Sequence, residues 1–156
     1  MIKDIKNKED ILNAEEFEQK VICQEALSIL IASTKPDAKD LHHQDIAAIV
    51  DEECKTNPDN RSMVRHISNT ILSLMLDFLP KNYPTTNWKK PIPNFTGLIV
   101  ERHEIPNIGY FEEYHPDLFA LGNGLTNLIK RTEYHRLKAE VIVYAHVNKL
   151  GLGKVM

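Results

Sequence analysis

Four prolines crowd the middle of this chain, Pro80, Pro84, Pro91 and Pro93. Proline fixes φ and has no backbone N–H, so residues 80 to 94 support neither a regular helix nor a central strand. The chain must therefore build its regular structure on either side of a loop. On the N-terminal side the apolar residues recur in helical steps; on the C-terminal side they are first extended in character and then helical again.

Ile11, Ala14, Phe17, Val21, Ile22, Ala26, Ile29 and Leu30 recur at three- and four-residue intervals, which predicts one amphipathic helix over residues 9 to 33. Thr34, Lys35 and Pro36 break it. Asp37 is placed to cap a second helix that carries Leu41, Ile46, Ile49 and Val50 and ends near Cys54. The turn formers Asn57, Pro58, Asp59 and Asn60 follow, with Asp59 or Asn60 capping a third helix that runs to about Leu79 and stops at Pro80. Its apolar residues, among them Met63, Val64, Ile67, Ile71, Met75 and Phe78, cover more than one stripe, as expected of a central helix contacted from several sides.

Beyond the proline loop, residues 95 to 100 have the β-branched and apolar character of a strand, and residues 108 to 114 alternate around Gly109. A hairpin over 95 to 114, turning at Pro106 and Asn107, is the expectation. Pro116 suits the first position of a fourth helix, which Gly122 and Gly124 weaken. A last amphipathic helix is predicted over residues 132 to 150, with Gly151 to end it. With 156 residues the chain can bury one sizeable core, so the expected fold is a single, mainly α domain over 1 to 156: about five helices with a small β-hairpin between the third and fourth. The alternative is an α+β domain in which the hairpin gains further strands.

Charge is also unevenly divided along the chain. Residues 1 to 60 hold 14 acidic against 7 basic side chains, and residues 61 to 156 hold 8 against 12. The halves carry opposite fields, suited to docking on each other or to different partners. A net charge of −3 and the acidic first helix oppose a protein that tracks phosphates, so nucleic acid is not the expected partner. The two cysteines, Cys23 and Cys54, fall within predicted helices and read as buried thiols rather than a disulfide framework. No apolar run approaches the ~20 residues of a membrane span, and the first residues lead into acids rather than an apolar signal core. A cytoplasmic location is the default expectation, with export by a route other than a Sec signal left open.

Seven histidines invite a search for metal spacing. His42 and Asp45 share a helical face at best, and His135 and His146 stand about 16 Å apart along a helix, too far to share one ion. Neither a metal nor a cofactor is expected. Glycine-rich phosphate loops and the Gly-x-Ser-x-Gly elbow are absent. The densest polar group is Glu101, Arg102, His103 and Glu104 followed by Glu112, Glu113, His115 and Asp117, in which His103, His115 and Asp117 are the candidates for acid–base catalysis if the hairpin brings them together. The bland reading is the solvated face of a hairpin. Tyr83, Trp88, Lys89 and Lys90 form an aromatic and basic loop suited to an anionic lipid surface or a protein partner. The leading expectation is a non-catalytic binding module whose partner is another protein. A small hydrolase or transferase, and a membrane-surface domain, are the alternatives.

Overall fold

A computed structural model describes residues 8 to 55, 61 to 82, 88 and 90 to 148. It is mainly α-helical with one small antiparallel hairpin. Two compact units are distinguished, Met1–Ile29 with His43–Pro84, and Leu30–His42 with Thr85–Met156.

In the first unit, the helix expected over 9 to 33 is two helices, α1 (Lys8–Leu12) and α2 (Glu16–Ala32). Gln19 makes the break possible: its Nε2 donates to the carbonyls of Ile11 at 3.0 Å and Leu12 at 3.4 Å, groups that the end of α1 leaves without an intrahelical partner. Glu15 N–H donates to Glu18 Oε1, which is one half of a capping box at the start of α2. Ile11, Ile22, Cys23, Ala26 and Leu27 are buried on both sides of the break. Phe17, which the periodicity placed on the apolar face, is exposed in the first turn of α2.

The second predicted helix is also shorter. α3 covers only His43–Ala47, and a 3-10 turn follows at Glu52–Lys55. Asp37 caps neither. α4 (Arg61–Asn82) is the central helix of this unit, burying Val64, Ile67, Ile71, Leu72, Met75, Phe78 and Leu79. Asp59 and Asn60, the expected caps, lie outside the described residues. α3 packs on α4, where His43 Nδ1 and Ser68 Oγ stand 2.7 Å apart. Pro80 does not end α4: so close to the terminus its missing N–H removes one bond, and Asn82 Nδ2 donates to the Phe78 carbonyl at 2.9 Å. Cys23 and Cys54 are buried free thiols. Burial, aided by Asp77, raises the Cys23 pKa to about 11.

The second unit starts as α2 ends, where the hydroxyls of Ser33 and Thr34 donate to the carbonyls of Leu30 and Ile31 at 2.6 Å. Leu41 then runs parallel to Ile99, its carbonyl accepting from Val100 N–H at 2.9 Å, while His42 Nδ1 donates to Val100 O at 3.0 Å. Backbone groups committed to that bridge cannot also open a helix, so α3 begins only at His43.

The hairpin is real, but its position differs from expectation. Residues 95 to 98 are a 3-10 turn, β1 is Val100–Arg102 and β2 is Ile105–Pro106, with Val100 opposite Pro106 and Arg102 opposite Ile105. The chain reverses at His103 and Glu104, not at Pro106 and Asn107. Residues 108 to 114 are a helix, α5 (Ile108–Tyr114). Asn107 decides this: its Oδ1 accepts from Tyr110 N–H at 3.1 Å, capping α5, while its Nδ2 donates to the carbonyls of Thr96 and Ile99 at 2.9 and 2.8 Å. Tyr110 and Phe111 are both buried, as adjacent residues on a helix can be and on a half-exposed strand cannot.

α6 (Pro116–Phe119) is short, a 3-10 turn at Gly122–Gly124 follows, and α7 (Asn127–Val147) starts five residues before the expected position because Thr126 caps it. α7 packs on β2 and on the 95 to 98 turn. Gly97 permits the close approach, since a Cβ there would run into the Leu137 side chain of α7 and stand 2.7 Å from Tyr110 Cε1 of α5. Leu98, Ile105, Phe111, Leu137 and Val141 fill this core.

Candidate functional site

His103 and His115, two of the polar residues singled out in the sequence, fall in two separate clusters, both in the second unit. The first is built on the hairpin turn. His103 Nδ1 donates to Asp40 Oδ1 at 2.8 Å, and Glu104 accepts from His135 Nε2 at 3.2 Å and pairs with Arg131 Nε at 3.5 Å. Glu104 has φ of 60°, in the left-handed region. There its carboxylate lies between the turn and α7, so the side chain's two partners accompany a backbone conformation that L-residues disfavour. The hydrogen bond to Asp40, followed by the Asp40 charge, raises the His103 pKa above its ordinary value. The imidazole is 75% exposed, and an ion pair in that position stabilises the fold only weakly.

The second cluster is largely buried. Tyr110 O–H donates to Glu133 Oε2 at 2.6 Å, and Arg136 grips the same carboxylate with Nε and Nη2, both at 2.8 Å. Arg136 also reaches Glu140 through Nη1 at 2.8 Å. His115 Nε2 lies 3.0 Å from both Tyr110 Oη and Glu133 Oε2. Because the single tyrosine proton is committed to Glu133, His115 Nε2 must be the donor in these contacts. Burial acts to raise the Glu133 pKa, but hydrogen bonds from Arg136 and Tyr110 and the Arg136 charge outweigh it and hold the carboxyl below its ordinary value. Burial, then the bond to Glu133, pushes the Tyr110 phenol far above its usual range. The sequence offered no sign of this cluster beyond the His115 it contains: Tyr110, Glu133 and Arg136 come from two helices, one of them expected to be a strand.

His103 and His115 thus serve different carboxylates, and Asp117 stands exposed in the first turn of α6. Trp88 is half-buried, its Nε1 donating to the Pro91 carbonyl at 3.2 Å and its ring meeting Tyr144 edge-on at 5.1 Å. Lys90 is exposed; Tyr83 and Lys89 lie outside the described residues. Among the described residues, no group of three or more His, Cys, Asp or Glu could hold a metal ion, and no helix is long and apolar enough to cross a membrane.

A feature that sequence reasoning missed lies between α6 and α7. Phe119, Leu121 and Leu128 are 38, 50 and 72% exposed, while Leu125 between them is buried and anchors the connection. Its backbone is closed by successive bonds from the N–H groups of Leu121, Gly124, Leu125 and Thr126. Spacing by itself does not reveal such outward apolar residues, because this irregular turn follows neither helical nor strand period. The chain matches no protein-family model, no curated protein and no solved structure.

Proposed function

We propose that this chain is a non-catalytic binding module that recognises another protein through the α6–α7 connection. The observation that carries the reading is the exposure of Phe119 at the end of α6, Leu121 on the connection and Leu128 in the first turn of α7, around a turn whose backbone is tied down by its own hydrogen bonds and anchored by Leu125. Apolar side chains held in place lose little freedom on association, which favours binding over the same groups on a loose loop. Weighing against the hydrolase or transferase alternative, the two candidate histidines stand in separate clusters on different carboxylates instead of converging on one site. Weighing against the lipid alternative, Trp88 spends its ring on Tyr144 and its N–H on Pro91.

The test is a photo-crosslinking residue placed at Leu128 of the full chain in its own cells, with Glu112 as the exposed control position. A discrete adduct from position 128, absent from position 112 and lost when Phe119 and Leu121 are both changed to Glu, is the expected result. Equal labelling from both positions, or none, would remove the basis of the reading.

A further inference from the structure

We infer, resting on the binding reading above, that the partner is a second copy of this chain, the acidic start of α2 on one copy seating against the basic start of α7 on the next. Phe17 is 74% exposed in the first turn of α2, flanked in the chain by Glu15, Glu16 and Glu18. Leu128 is the counterpart in the first turn of α7, followed after Ile129 by Lys130 and Arg131. Each surface offers a protruding apolar side chain on a capped helix start, and the charges around them have opposite sign.

The contrast extends beyond these neighbours. Residues 8 to 18 carry five acids against Lys8, whereas the first twelve residues of α7 carry four bases against Glu133; Arg136 is engaged by Glu133 and Glu140 and Arg131 by Glu104, so Lys130 and Lys138 carry the basic character of this surface. Over the whole units the balance is 13 acids to 8 bases in the first and 9 to 11 in the second. Like surfaces would bring like charges together, so a two-fold pairing through either one is opposed. The complementary pairing is heterologous: after two copies join, the pair keeps one unused surface of each kind, one on each copy. Such association does not stop at a dimer unless a ring closes. The charge contribution makes it sensitive to salt.

Sedimentation velocity of the full chain over a concentration series, at low and high salt, tests this. The weight-average sedimentation coefficient of the wild type should rise with concentration and fall back on adding salt. Phe17→Glu and Leu128→Glu should each sediment as monomers at concentrations where the wild type associates. An equimolar mixture of the two should regain a one-to-one complex, because each variant retains the surface the other lacks, and that recovery also shows both to be folded. A wild type that stays monomeric throughout overturns the second-copy inference while the crosslinking result still decides the broader binding reading. Single variants that still associate, or a mixture that stays monomeric, overturn the assignment to these two surfaces.

Discussion

Tyr110 donates its hydroxyl proton to Glu133 at 2.6 Å, joining α5 to α7 through a carboxylate that is only 8% exposed. A buried carboxylate is costly unless its charge is countered and its lone pairs are used. Here Arg136 takes both oxygens from one side, while Tyr110 and His115 approach Oε2 from the other. The arrangement fixes the position of α5 on the helix that forms the floor of the second unit.

Removing the hydroxyl with Tyr110→Phe keeps the ring in the core and deletes one donor to Glu133. Arg136 stays in place, so the charge remains countered, and the expected loss is about 1.5–3 kcal/mol, the range for a hydrogen bond to a charged group. Denaturant unfolding of the two proteins, read from their midpoints at equal slope, measures it. A variant as stable as the wild type would mean that water replaces the tyrosine at Glu133 without penalty.

His103 makes the stability of the second unit depend on pH in a defined direction. Asp40 raises the imidazole pKa in the folded chain above the 6.5 of a free histidine. The folded state therefore holds the proton more tightly than the unfolded state does. The resulting stabilisation is fully present below about 6.5 and is lost as pH rises through the higher folded value. An NMR titration of the His103 ring should place its midpoint above 6.5, and Asp40→Asn should bring that midpoint down while leaving the chain folded. An unchanged midpoint in Asp40→Asn would show that the pair does not persist in solution.

What the sequence made legible depended on whether burial alone set the outcome. α4 was readable because its apolar residues recur over many turns, and Ile67, Ile71 and Met75 are indeed buried. The buried thiols were readable for the same reason. Elements decided by a single polar side chain were not. Gln19 splits the first helix by reaching back to two carbonyls, and Asn107 turns an alternating segment into α5 by capping it. Each also has a backbone partner at least eight residues away, Ile11 for Gln19 and Thr96 for Asn107, a distance that local periodicity does not see. Of the candidate site residues, the sequence shows a polar density around His103 and His115 but joins them through a turn at Asn107. The reversal at Glu104 instead gives His103 to Asp40, from a segment more than sixty residues earlier in the chain.

Glu104 itself tests how much of the hairpin turn is backbone and how much is side chain. Its φ of 60° favours glycine, while its carboxylate reaches Arg131 and His135 on α7. Glu104→Ala and Glu104→Gly both delete the carboxylate, so the loss of those partly exposed pairs, about 0–1 kcal/mol, is common to the two variants. They differ in the backbone. Alanine keeps the left-handed conformation against its Cβ, a cost of roughly 1–2 kcal/mol, whereas glycine adopts it freely but has a more flexible unfolded chain, a cost of about 0.5–1 kcal/mol. The first effect is the larger, so Glu104→Gly should be the more stable variant by up to about 1 kcal/mol. Thermal or denaturant unfolding of the pair reads the difference directly. If alanine proved equal or better, the turn would have to relax out of the left-handed region once its ties to α7 are cut, making the ion pairs the cause of the conformation rather than its beneficiary.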